Sequence, residues 1–152
     1  MKTWLLPLLG LFAVSSTFAA VGETKGDVEK RYGQPVISLP LAAPFKGVTV
    51  MNYQFKGMYV AVAFLDGKVV QEHYMKQDDA ATFTKEEVTE LLSAHALGKS
   101  WVAKSAPDAA RQMWLLEDKT LMADLQPAPR SSFDVSSTAY LMRIMEEHNK
   151  RE

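Results

Sequence analysis

Between residues 48 and 75 the chain carries three apolar-rich blocks, "VTVMNYQF" (48–55), "MYVAVAFL" (58–65) and "KVVQEHYM" (68–75). Each is rich in β-branched and aromatic residues, which favour a pleated, half-buried strand. Lys56-Gly57 and Asp66-Gly67 separate them. Both are two-residue hairpin signals, so the pattern predicts an antiparallel meander. With two-residue loops, Tyr53 falls opposite Val60 and Val60 opposite His73, while Gln54 falls opposite Tyr59 and Tyr59 opposite Tyr74. One face then collects Met51, Tyr53, Phe55, Met58, Val60, Val62, Phe64, Val69 and Met75, with Gln71 and His73 near an edge. That face is expected to pack under helices, because a half-buried sheet alternates apolar-in and polar-out. The other face collects Asn52, Gln54, Tyr59, Ala61, Glu72 and Tyr74, with Val50, Ala63 and Val70 toward one end.

The stretch "GETKGDVEKRYGQP" (22–35) reads as a helix with both ends written in. Thr24 is the N-cap and Asp27, three residues on, completes a variant of the capping box. Val28 and Tyr32 share one face a turn apart. Gly33 is expected to take the left-handed conformation that closes the helix, and Pro35 forbids its continuation.

The same order then restarts. Thr84 and Glu87 form a second capping box, with Phe83 and Val88 as a hydrophobic staple. Val88, Leu91, Leu92 and Ala96 form the buried stripe, and Gly98 stops the helix. "SWVAK" (100–104) and the pair "RQMWLLE" and "TLMADLQ" around Asp118-Lys119 read as three more strands. "TKGDVEK" (24–30) and "TKEEVTE" (84–90) align at an offset of sixty residues. "QPAPRSS" (126–132) reads as a proline-rich linker. A last helix is expected from about Phe133, capped by Ser131 with Asp134 three residues on, and docking through Val135, Ala139, Met142 and Met145. The predicted fold is α+β and two-layered: a meandering antiparallel sheet of about six strands with helices on one face. It comprises two αβββ units (22–75 and 84–126) in one domain (20–126), followed by a linker and C-terminal helix (127–152).

Residues 1–19 stand apart from this plan. Lys2, the apolar run "WLLPLLGLFAV" and the small residues Thr17 and Ala19 form the three parts of a secretory signal peptide, with cleavage expected before Ala20. The apolar run is too short for a permanent bilayer anchor. The formal net charge is −1, and losing Lys2 with the leader makes it one unit more negative. A chain so near neutrality offers no electrostatic footprint for nucleic acid. It contains no cysteine, which removes disulfides, thiol nucleophiles, thiolate metal sites and lipid attachment. Some 130 remaining residues suffice for a core without disulfides. Asn52 and Asn149 begin no glycosylation sequon. The expected home is the periplasm of a Gram-negative bacterium, or secretion beyond it, without a stable membrane anchor.

Gly22, Thr24, Val28, Gly33 and Pro35, spaced G-x-T-x(3)-V-x(4)-G-x-P, resemble the opening of the SmpA/OmlA (BamE-like) family. That resemblance implies helices packed on a three-stranded antiparallel meander. Its tandem form, as in β-lactamase inhibitor protein, is similar to the two-unit plan above. The lipid-bearing cysteine of the lipoprotein members is missing here, at Ala19-Ala20.

Candidate chemistry is sparse. His73, His95 and His148 form no metal-ligand spacing. His95 reads as a helix C-terminal residue facing the negative dipole end, and His148 as solvent-facing. Asp78-Asp79 reads as a solvated loop rather than a calcium site. No nucleophile elbow, S-x-x-K or phosphate loop is present. The expectation is therefore a non-catalytic protein with no cofactor and no metal. Asn52, Gln54, Tyr59, Glu72 and Tyr74 stand as its candidate surface for another exported or envelope protein, since tyrosine supplies contact area with a polar tip. The alternative is a proteinaceous inhibitor or regulator of an exported enzyme.

Overall fold

A computed structural model describes Phe18 and residues 20–36 and 43–150. Residues 1–17 and 19, which hold nearly all of the expected leader, lie outside the described residues. The architecture is α+β: the described residues form three helices and one open antiparallel sheet of seven strands.

Helix α1 (Lys25–Tyr32) begins as its sequence dictates. Thr24 accepts from Asp27 N, and the Asp27 carboxylate reaches back to Thr24 N. Val28 and Tyr32 are buried. Gly33 ends the helix at φ 82°, ψ −158°. This is not the expected left-handed well but a neighbouring region open essentially to glycine alone.

Strands β1 (Val48–Phe55), β2 (Met58–Leu65) and β3 (Lys68–Lys76) form the expected meander. Both hairpin pairs, Lys56-Gly57 and Asp66-Gly67, have positive φ, as type I′ turns require. Helix α2 (Lys85–His95) carries the second capping box and buries Val88, Leu91 and His95. Strands β4 (Trp101–Lys104), β5 (Gln112–Leu116) and β6 (Leu121–Gln126) form a second meander.

The chain then departs from the sequence plan. Residues Ser132–Ser137 form a strand, β7, and helix α3 (Thr138–Asn149) starts only afterwards, capped by Ser137. The proline-rich stretch shrinks to the β6–β7 turn, with Ala128–Pro129 cis. β7 pairs with β3 on one side and β6 on the other, so the order is β1-β2-β3-β7-β6-β5-β4. Ser131-x-x-Asp134 imitated a capping box, but "SFDVS" also alternates with period two. Phe133 and Val135 go to the core while Asp134 points away from it, and the tertiary partners decide. The two meanders are thus one continuous sheet joined through a central seventh strand.

The late start of α3 also rotates its docking stripe. Tyr140 and Ile144 pack on the sheet, while Met142 and Met145 are 63% and 65% exposed. Nor are the helices confined to one face. The main core forms where α1 and α2 cover one face of the sheet. Tyr140 of α3, with Phe45, covers the end of the opposite face through Val48, Val50, Ala63 and Val70.

A β-bulge changes the register of β3. The pairs Leu65–Lys68 and Phe64–Val69 follow the hairpin, but the next pair is Ala63–Gln71, which leaves Val70 extra. From there Val60 faces Tyr74 rather than His73, and Tyr59 faces Met75 rather than Tyr74. An odd shift exchanges the two faces of everything beyond it. Glu72 and Tyr74 therefore lie in the core, and Gln71, His73 and Met75 on the outer face.

Candidate functional site on the outer sheet face

Of the five residues expected on the open face, three are there. Asn52 and Tyr59 are half-buried and Gln54 is exposed. Glu72 and Tyr74 are fully buried on the helix side, and they are removed from the candidate surface. There they form a polar network. Glu72 Oε2 lies 2.6 Å from His95 Nε2 and accepts from Tyr74 OH at 2.7 Å. Tyr32 OH lies 3.1 Å from Tyr74 OH. Burial first, and the Glu72 charge second, raise the Tyr74 phenol well above its ordinary value. His95 is a core residue, and His148 is exposed as expected.

The bulge brings different chemistry to the outer face. His73, Asp134 and Asp124 stand directly across from one another on β3, β7 and β6. His73 Nδ1 is 2.7 Å from Asp134 Oδ1, and Gln71 Nε2 donates to the same oxygen at 3.4 Å. Burial works to lower the His73 pKa, but its hydrogen bond to Asp134 and the charge of that carboxylate prevail and hold it above 6.5. Two carboxylates side by side repel, and Arg111 relieves this. Its Nε donates to both oxygens of Asp124 at 2.8 Å, and its Nη2 to Oδ2.

Where α3 crosses this face, it roofs a cavity of about 270 Å³. Pro44, Val50, Ala61, Ala63 and Ile144 give it apolar walls; Gln71, His73 and Asp134 give it one polar end. Tyr140 also lines it, and its buried hydroxyl has no hydrogen-bond partner among the described residues. Burial alone raises that phenol's pKa. The arrangement can receive an apolar side chain or small molecule with a polar tip. Among the described residues no group of three His, Asp or Glu side chains could hold a metal ion. Asp78 and Asp79 are exposed; Asp78 caps its own turn through Ala80 N at 2.9 Å.

Gln71, His73, Asp134, Asp124, Arg111 and Tyr140 were not legible as a cluster. A straight hairpin register puts His73 on the core face and Ser131-x-x-Asp134 reads as a helix start, and the structure overturns both. The polar alternation of "SFDVSS" was the one signal that could have placed Asp134 on a strand.

No family model matches the chain, nor does any curated protein. Solved structures that match include a cysteine-rich secretory protein from Staphylococcus aureus subsp. aureus Mu50, at 12% identity and TM-score 0.45, covering 80% of this chain and 44% of that one. Another is an extracellular protein containing a SCP domain from Bacillus anthracis str. Ames, at 14% identity and TM-score 0.39, covering 81% and 46%. The chain spans less than half the length of either, and likeness at these scores carries no argument about activity. The resemblance to the SmpA/OmlA family is corrected by these findings: no model of it matches, and the matching structures bear a different domain name. The motif behind it has a local explanation. Thr24 caps α1, Val28 is buried, Gly33 ends the helix, and Gly22 takes φ 97°. Any well-capped short helix can carry such a pattern.

Among the described residues no helix is long and apolar enough to cross a membrane.

Proposed function

We propose that this chain is an exported, non-catalytic binding module that holds another exported or envelope protein against its outer sheet face. The leader pattern of residues 1–19 supports export. The observation that carries the binding reading is the half-roofed cavity beside Asn52, Gln54 and Tyr59. It is an apolar socket with a polar end, and Asn52 and Tyr59 adjoin its lining residues Val50 and Ala61 on the same face of β1 and β2. Interfaces concentrate their energy in such sockets, where an anchor side chain is desolvated and a polar rim excludes water. The His73–Asp134 pair serves here as a rigid, hydrogen-bonded end wall.

The reading is tested by crosslinking and pull-down from periplasmic extract, with the native chain and the double variant Gln54→Arg/Tyr59→Ala. Both positions are on the outer face, so the variant should keep its far-ultraviolet circular dichroism. The native chain should recover a partner that the variant loses. Equal recovery by both would place the contact elsewhere.

A further inference from the structure

Phe18 sits one residue before the expected end of the leader, yet it is only 2% exposed. Its ring meets Phe55 at 5.6 Å and Tyr74 at 5.8 Å, both edge-on, with Lys56 Nζ 5.1 Å from its centroid. Its carbonyl accepts from Arg31 Nη1 at 2.7 Å. Arg31 is itself steadied by Glu23, whose other carboxylate oxygen accepts from Ala20 N at 3.1 Å.

The walls of this socket do not depend on Phe18. Phe55 is on β1, and Tyr32 braces it at 4.9 Å from α1. Tyr74 is fixed in β3 by Glu72 and β7. Export cleavage adds water across the Ala19–Ala20 peptide bond, leaving a carboxylate on Ala19 and an ammonium on Ala20. The leader then departs with Phe18. The new ammonium remains beside the Glu23 carboxylate, which holds the mature end in place. Arg31 keeps Glu23 but loses one acceptor, and the aromatic socket loses its ring.

We infer that cleavage opens a peptide-binding socket, whose occupant is an aromatic side chain on a segment of another protein. That segment's main-chain carbonyl takes the place of the Phe18 carbonyl on Arg31. Phe18 itself is the template: it shows the ring fitting between Phe55 and Tyr74 and the carbonyl within reach of the guanidinium. Aromatic anchors in fixed pockets are the residues on which peptide recognition turns. The inference rests on removal of the leader after Ala19 and is independent of the outer sheet face.

The test uses the processed protein recovered from periplasm, its start fixed by intact mass. It is titrated calorimetrically with a blocked peptide of residues 15–19 and with the same peptide carrying Phe18→Ala. The native peptide should bind at least ten-fold more tightly, and Arg31→Gln in the protein should weaken it. Gln54→Arg/Tyr59→Ala should leave peptide binding unchanged, which separates this socket from the outer face. A mature chain that retains Phe18 overturns the inference, because its socket is already filled. So does equal binding, or no binding, of the two peptides.

Discussion

Glu72 Oε2 and His95 Nε2 meet at 2.6 Å in the centre of the core, and neither side chain has any exposed surface. The Leu91 carbonyl can only accept, so His95 Nδ1 donates to it at 2.8 Å and the ring orientation is fixed. Oε2 of Glu72 also accepts from Tyr74, while Oε1 has no hydrogen-bond partner among the described residues. Such a pair ties β3 to α2 at a desolvation cost, and removing one half leaves the other stranded. Glu72→Ala should therefore destabilise by about 3–5 kcal/mol, whereas Glu72→Leu combined with His95→Leu should recover much of that loss. Urea denaturation midpoints of the two variants check this. A single variant no worse than the double would show that the pair is not coupled.

On the outer face, His73 and Asp134 give a pH dependence of definite sign. Asp134 holds the folded-state pKa of His73 above 6.5 despite burial. A group whose pKa is raised by folding stabilises fully below its unfolded value. That stabilisation fades as pH rises through the folded value. The stability difference between native chain and Asp134→Asn should thus be larger at about pH 5.5–6 than at pH 8, with Asn also removing burial's counterweight. In nuclear magnetic resonance titrations the His73 ring midpoint should fall in the variant. A midpoint that does not move would mean the 2.7 Å contact is not populated in solution.

Gly26 and Gly33, seven residues apart, should respond in opposite directions. Gly33 has φ 82°, and a β-branched side chain is strained there whatever the space around it. Gly33→Val should cost on the order of 1–2 kcal/mol. Gly26 lies inside α1 without positive φ, and a Cβ there would meet only Thr24 Oγ1 at 3.9 Å. Gly26→Ala should gain roughly 0.5–1 kcal/mol. Thermal denaturation of both variants decides whether the first helix ends and propagates as described.

Local signals placed much of this fold. Both capping boxes, both β1–β3 hairpins and the first six strands follow from short-range chemistry that the sequence writes explicitly. The site did not follow, for two physical reasons. A bulge leaves no mark in "KVVQEHYM", because two adjacent valines suit either a straight or a bulged strand. And β7 owes its conformation to β3 and β6, distant partners that hold "SFDVSS" extended although its Ser131 and Asp134 spell a helix start. Errors of one residue in register and about five in a helix start were enough to send Glu72 and Tyr74 outward and hide His73 and Asp134.

The bulge itself can be removed. Val70 and Gln71 are consecutive, yet Val70 packs toward Tyr140 and Gln71 lines the cavity below the same helix. Deleting Val70 would restore an unbroken hairpin register. With β3 keeping its pairs with β2, Gln71 stays opposite Ala63, Glu72 opposite Val62, His73 opposite Ala61 and Tyr74 opposite Val60, so every face is kept. Glu72 and Tyr74 stay with His95 and Tyr32, and His73 stays with Asp134. Only the half-buried Val70 side chain and the local twist of the bulge are lost, so the deletion should still unfold cooperatively, at a cost of about 1–3 kcal/mol. Val70→Ala keeps the residue count and removes only half-buried methyl groups; it should unfold cooperatively with a loss of about 1 kcal/mol. Denaturant titrations followed by tryptophan fluorescence compare the two. A deletion mutant that no longer unfolds cooperatively would mean that the extra residue is needed to hold Glu72 and Tyr74 in the core and His73 on the outer face.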